Sequence, residues 1–257
     1  MTPPDRNRRV RFRFTKVGKV RFTSHRDVAR LWERALRRAE LPVALTEGFS
    51  PRPKVHFGLA LPTGYESDGE YLDVDLRRPE AEALDLAELP ERLSPLLPPG
   101  LDVVAAADVD PRADSLQQAV TSCTWRIEAM GLLPVAAASE VARVLASEVV
   151  TVVRQRKGKD LTDDIRPDIL DVQVVGPLLA ADGTNGHDGA DLGAVLVAEL
   201  ATQPRGLRPS ELLSAFAPAP EEGLVRRTHQ WISVDGARHE PLVSDATWAD
   251  PPVVQAS

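Results

Sequence analysis

The chain has 257 residues, 43% hydrophobic and 27% charged, with one cysteine (Cys123) and a net charge of −7. That length and composition suit one large or two small globular domains. A single cysteine excludes a disulfide framework, a CxxC zinc site and a cysteine-ligated iron–sulfur cluster built from this chain alone.

Residues 9–14 alternate strictly, with Val10, Phe12 and Phe14 on one face of a predicted strand and Arg9, Arg11 and Arg13 on the other. Gly18 marks a turn, and Lys19-Val20-Arg21-Phe22 resumes the alternation, so a hairpin is expected with an apolar buried face and a basic open face. Ser24-His25-Arg26-Asp27 has the form of a capping box. The helix behind it places Val28, Leu31, Trp32, Ala35, Leu36 and Ala39 on one stripe, with Arg26, Arg30, Arg34, Arg37 and Arg38 off it. Pro42 ends that helix, and Gly48 to Lys54 is a stiff, proline-bearing loop. Residues 55–60 read as a strand, Pro62-Thr63-Gly64 as a turn, and Glu70–Leu76 as a second strand. Residues 79–97 read as a helix kinked at Pro90, and Leu101–Ala107 as a closing strand.

After a polar stretch the order repeats: a strand at Thr121–Met130, a helix at Val135–Ser147, strands at Val149–Arg154 and Ile169–Val175. A Gly/Asp loop at 182–191, a strand at Leu192–Leu200, a helix at Pro209–Phe216 and a strand at Val225–Val234 follow. The fold class expected is α+β: two ferredoxin-like (βαββαβ) sandwiches in tandem, the first with an extra N-terminal hairpin arm. The boundaries are a basic module at 8–109, a linker at 110–118, an acidic module at 119–234 and a flexible tail at 235–257.

Residues 1–58 hold 15 Lys/Arg against 5 Asp/Glu, a surplus of +10, and the rest of the chain carries −17. Such asymmetry points to a polyanion-binding end or to basic and acidic surfaces that meet. The candidate anion or nucleic-acid contacts are Arg9, Arg11, Arg13, Lys19, Arg21 and Arg26, with Arg52 and Lys54 from the stiff loop. His25, at a helix N-terminus, and His56 are the candidates for acid–base catalysis, although no nucleophile partner or metal-ligand spacing accompanies them. A lone histidine is more often structural. There is no phosphate loop and no metal motif. No apolar run approaches the roughly 18 residues that span a bilayer, and no signal peptide is evident, so a cytoplasmic location without a membrane partner is expected.

The segments Phe22–Asp27, Glu33–Ala39, Gly48–Lys54, Leu61–Ser67 and Glu70–Val74 together resemble the radical-SAM-associated (radical-SAM-linked) family of uncharacterised bacterial proteins. Asp164–Pro167 and Gly206–Glu211 resemble the second half of that family, so the resemblance spans about residues 8–233. It implies an accessory role beside a separately encoded radical-SAM enzyme, with no cofactor in this chain and with the iron–sulfur cluster and S-adenosylmethionine on that partner. Combined with the basic end, the expectation is a binding protein that holds structured RNA or another anionic substrate for the partner. The alternatives are a protein–protein adaptor docking on an acidic partner and a metal-independent endoribonuclease using His25 or His56.

Overall fold

The computed structural model describes residues 7–156, 158–179, 192–234 and 236–242. The fold is α+β, mostly strand with few helices, and the chain divides into two compact units. Among the described residues, one unit holds 7–120 and 231–242, and the other holds 121–230. No described helix is long and apolar enough to cross a membrane.

In the first unit, β1 (Asn7–Lys16) leads to α1 (His25–Arg38), β2 (Val55–Phe57), β3 (Glu66–Arg77), α2 (Leu89–Leu93), β4 (Val103–Val109) and α3 (Leu116–Ala119). The four strands are antiparallel in the order β4-β1-β3-β2. The alternation of β1 is realised: Val10, Phe12 and Phe14 are buried and pack with Leu72, Val74 and Leu76 of β3. Trp32 of α1 closes this core, its ring 5.7 Å from that of Phe12 and 5.0 Å from that of Phe14. The Ser24 side chain accepts the Asp27 backbone N–H, as expected for the N-cap of α1.

The expected hairpin arm does not form. Gly18 takes a left-handed φ of +68° and residues Gly18–Phe22 wind into a 3-10 turn, which buries Val20 and leaves Phe22 exposed with the Arg21 guanidinium over its ring. Four alternating residues are also about one turn of a helix, so their pattern could not separate the two. The helix expected at 79–97 is instead a run of short pieces: 3-10 turns at Glu80–Ala83, Leu86–Glu88 and Ser94–Leu96 around α2. Pro90 and Pro95 each sit where a helix can start but not continue, and Asp85 caps the second turn through Ala87.

The second unit runs β5 (Val120–Met130), α4 (Pro134–Ala146), β6 (Thr151–Arg156), β7 (Lys159–Asp164), β8 (Ile169–Pro177), β9 (Gly193–Ala201), α5 (Pro209–Ser214) and β10 (Glu221–Val234) as far as Gln230. Its strands lie in the order β10-β5-β9-β8, while β6 and β7 form a separate two-stranded sheet. That hairpin replaces the single strand expected at Val149–Arg154. Asp164 caps the turn after it, accepting the N–H groups of Val150 and Arg166. Asp163 pairs with Arg154 and Arg205. The 182–191 loop lies outside the described residues.

Residues 236–242 of the expected tail take defined structure. The end of β10 turns into β11 (Ala237–His239), pairing Ile232 with His239 and Ser233 with Arg238. Leu242 then packs with Tyr71 of β3 and Leu116 of α3, inside the first unit. Residues beyond 242 lie outside the described part.

Candidate functional site

The second face of β1 is not an open basic surface. Arg11 and Arg13 are only 5% and 8% exposed. In the β1–β3 register, Arg11 stands opposite Asp73 and Arg9 opposite Asp75. Arg11 forks onto Asp73 with Nε and Nη2 at 2.7 and 2.9 Å and donates Nη1 to the Pro241 carbonyl at 3.2 Å. Arg9 Nε meets Asp75 at 2.7 Å, and Arg13 Nη1 meets Glu240 at 3.1 Å. Tyr71 donates its hydroxyl to the other Glu240 oxygen at 3.3 Å, and burial pushes that phenol well above its usual range. Arg21 reaches Glu66 at 3.3 Å. Arg8 clamps Asp108 with bonds of 2.7 and 2.9 Å, which holds that carboxyl below its ordinary value. Arg9, Arg11, Arg13 and Arg21 are thus each neutralised by an acid of the same unit, and the first two of Arg9, Arg11 and Arg13 face carboxylates directly across the ladder. A phosphate at any of these four expected contacts would have to compete with that carboxylate, and at Arg11 and Arg13 it would also have to reach a guanidinium that is almost out of water.

The remaining sequence candidates lie elsewhere on the unit. Lys19, Arg26 and Arg52 are exposed, Lys54 is half-buried, and among the described residues none of the four side chains has an ion-pair partner within 4.0 Å. Arg26 opens a stripe that continues through Arg30, Arg34 and Arg37 at spacings of four, four and three, with Arg38 beside it. This stripe is the side of α1 away from Val28, Trp32, Ala35 and Leu36. Arg30 is paired with Asp27 at 3.0 Å. Arg34, Arg37 and Arg38 are exposed and meet no carboxylate among the described residues. In the sequence these three are legible as positions off the apolar stripe of α1.

The chain leaves α1 through Glu40, whose φ is +53°, bridges to β3 at Val43–Leu76, and enters the 45–53 loop. Thr46 and Arg52 close that loop with two hydrogen bonds, Thr46 N–H to Arg52 O at 2.8 Å and Arg52 N–H to Thr46 Oγ1 at 3.0 Å. A bridge between Leu45 and Pro53 sits beneath them. Gly48, at φ +125°, makes the corner, and Phe49 projects from the tip fully exposed (110%).

A small polar cleft lies at the other end of α1. Lys16, His25, Glu70 and Tyr71 line it, against an apolar wall that includes Phe14 and Phe57. Lys16 donates Nζ to the Thr23 carbonyl at 2.9 Å, and the His25 ring stands edge-on to Phe57 at 5.1 Å. The two candidate histidines do not act on one group: His25 faces this cleft, and His56 Nε2 lies 3.6 Å from Asp75, the partner of Arg9. Among the described residues no group of three or more His, Cys, Asp or Glu side chains is placed to hold a metal ion.

A family model described as "Uncharacterized protein conserved in bacteria (DUF2344)" matches residues 9–204. The chain belongs to this family. The DUF2344 match runs from β1 through the end of β9, so the Arg9–Asp75 and Arg11–Asp73 pairs, the arginine stripe, the Phe49 loop and the cleft lie within it, while α5, β10 and Glu240 lie beyond. The family description gives a bacterial distribution and no activity. No curated protein matches the chain.

Proposed function

We propose that this protein is an accessory binding protein that holds RNA on the outward stripe of α1 and the adjoining loop, for a separately encoded radical-SAM enzyme. One observation carries the RNA reading. Each β1 arginine has its own acid, whereas Arg26, Arg34, Arg37 and Arg38 stand exposed on one helix without one. Like charges at i,i+4 repel by a few tenths of a kcal/mol per pair, so a helix that keeps them is better suited to an external anion than to solvent. Arginine's planar fork fits phosphate. The radical-SAM partner, which would bring the iron–sulfur cluster and S-adenosylmethionine, is supported by the resemblance of Phe22–Asp27, Gly48–Lys54 and Glu70–Val74 to radical-SAM-linked proteins.

The same reading takes the fold as two ferredoxin-like modules. The strand orders β4-β1-β3-β2 and β10-β5-β9-β8 both follow the 4-1-3-2 pattern of a βαββαβ sheet, with β6–β7 inserted in the second. A protein-docking role for the stripe is the competing outcome of the test below.

The test is salt-dependent binding. Full-length protein is titrated with a fluorescent single-stranded RNA, and log K is followed against log salt. Changing Arg34, Arg37 and Arg38 together to Glu should flatten the slope by about 2, since each neutralised phosphate contributes about −0.7. Folding should survive, because all three side chains are exposed. A folded triple variant with unchanged slope would overturn the RNA reading and favour a protein partner on this face.

A further inference from the structure

We propose that Phe49 is a stacking platform for an unpaired base, which makes single-stranded RNA, rather than a duplex, the ligand of the α1 face; this rests on the RNA reading above. Exposed apolar side chains are ordinary one at a time, and Phe49 differs from the others by how it is held. Thr46 and Arg52 pin the loop base with two hydrogen bonds, Pro51 and Pro53 stiffen one arm, and Gly48 supplies the corner. The ring is therefore presented on a rigid stem, and little ordering is lost when something settles on it.

Its surroundings favour a base over a protein. A protein hot spot needs an apolar patch that excludes water around the anchor. Phe49 instead has Glu47, Ser50 and Arg52 as loop neighbours, all exposed, and its apolar neighbours in the loop are the half-exposed Leu45 and the small prolines Pro51 and Pro53. Base stacking asks for less: one ring face for the base and a cation for the phosphate beside it. Arg52 is three residues along the same loop, and Arg37 and Arg38 end the helix that feeds it. Along residues 37–54 the acids are Glu40 and Glu47, against those three arginines and Lys54. A duplex hides its base faces, so a ring of this kind gains nothing from it.

The experiment compares wild type, Phe49→Ala, Phe49→Trp and the Arg34/Arg37/Arg38→Glu variant of the full chain, using a labelled single-stranded oligonucleotide and the duplex of the same sequence. Phe49→Ala is expected to weaken single-strand binding about 5- to 150-fold, the usual range for losing one stacked base, while leaving the salt slope unchanged. Phe49→Trp should restore binding and show quenched indole fluorescence with the single strand. Duplex binding should not respond to either change. If Phe49→Ala binds like wild type while the charge variant loses slope, stacking is refuted and the RNA reading stands. If wild type binds neither nucleic acid, both fall. If Phe49→Ala leaves RNA binding intact but abolishes capture of a protein from the cell, the loop is a protein-docking tip and the proposal is overturned.

Discussion

Arg11 shows why a row of arginines is not by itself a binding surface. Its guanidinium and the Asp73 carboxylate are both almost out of water, which is expensive for each, and the forked geometry plus the Pro241 carbonyl offsets that expense. Removing one partner strands the other. Arg11→Met should therefore destabilise the first unit by about 3–5 kcal/mol, and Asp73→Leu by a similar amount, whereas the double variant should recover most of the loss. Urea denaturation of the four proteins measures this cycle; additive losses would mean that the pair is not coupled as its geometry requires. The sequence held half of this. The alternation of Val10, Phe12 and Phe14 placed the core face correctly, and Asp73 and Asp75 alternate in the same way. What no local pattern carried was that the two rows, 62 residues apart at Arg11 and Asp73, lie opposite each other in register. Of the positive charge in this part of the chain, the arginines of β1 each meet a carboxylate, while Arg26, Arg34, Arg37 and Arg38 of α1 meet none within 4.0 Å among the described residues.

At the scale of elements, legibility followed length. α1 runs 14 residues, with an apolar stripe, a capping serine and arginines in its last turn, and every local signal agreed. The 18–22 segment and residues 79–97 carried shorter or proline-broken patterns, and there the tertiary context decided. The joint between β1 and β4 gives a test of such context. Gly100 sits at φ +91°, its carbonyl accepts the Val17 N–H, and an added Cβ would collide with the Val17 carbonyl. Gly64 has nearly the same φ, +95°, but a Cβ there meets open space. Gly64→Ala should show only the left-handed backbone penalty of about 1–2 kcal/mol. Gly100→Ala should lose clearly more, because a backbone oxygen cannot swing aside. Thermal melts of the two variants rank them, and equal losses would mean that the β1–β4 joint yields freely.

At the scale of the molecule, the first unit is closed by a part of the chain remote in sequence. Composition gave no hint of it: residues 236–242 have no periodicity, and proline-bearing ends usually fray. Yet Glu240 serves both Arg13 and Tyr71, the Pro241 carbonyl serves Arg11, and Leu242 is buried against Tyr71 and Leu116. The segment thus covers the part of the charged face of β1 and β3 that holds Arg11, Arg13 and Tyr71. That cover contributes to the burial of Arg11 and Arg13. A variant carrying Glu240→Ala and Leu242→Ala removes a carboxylate from a buried guanidinium and about 2 kcal/mol or more of apolar packing. Hydrogen exchange on the full chain should then show faster exchange at the β1 and β3 amides, with β5 and β9 unchanged, because local opening follows lost burial. Equal protection of β1 in variant and wild type would mean that the first sheet needs no cover on that face. Acceleration in β9 as large as in β1 would mean that the segment supports the chain as a whole, not the first unit in particular.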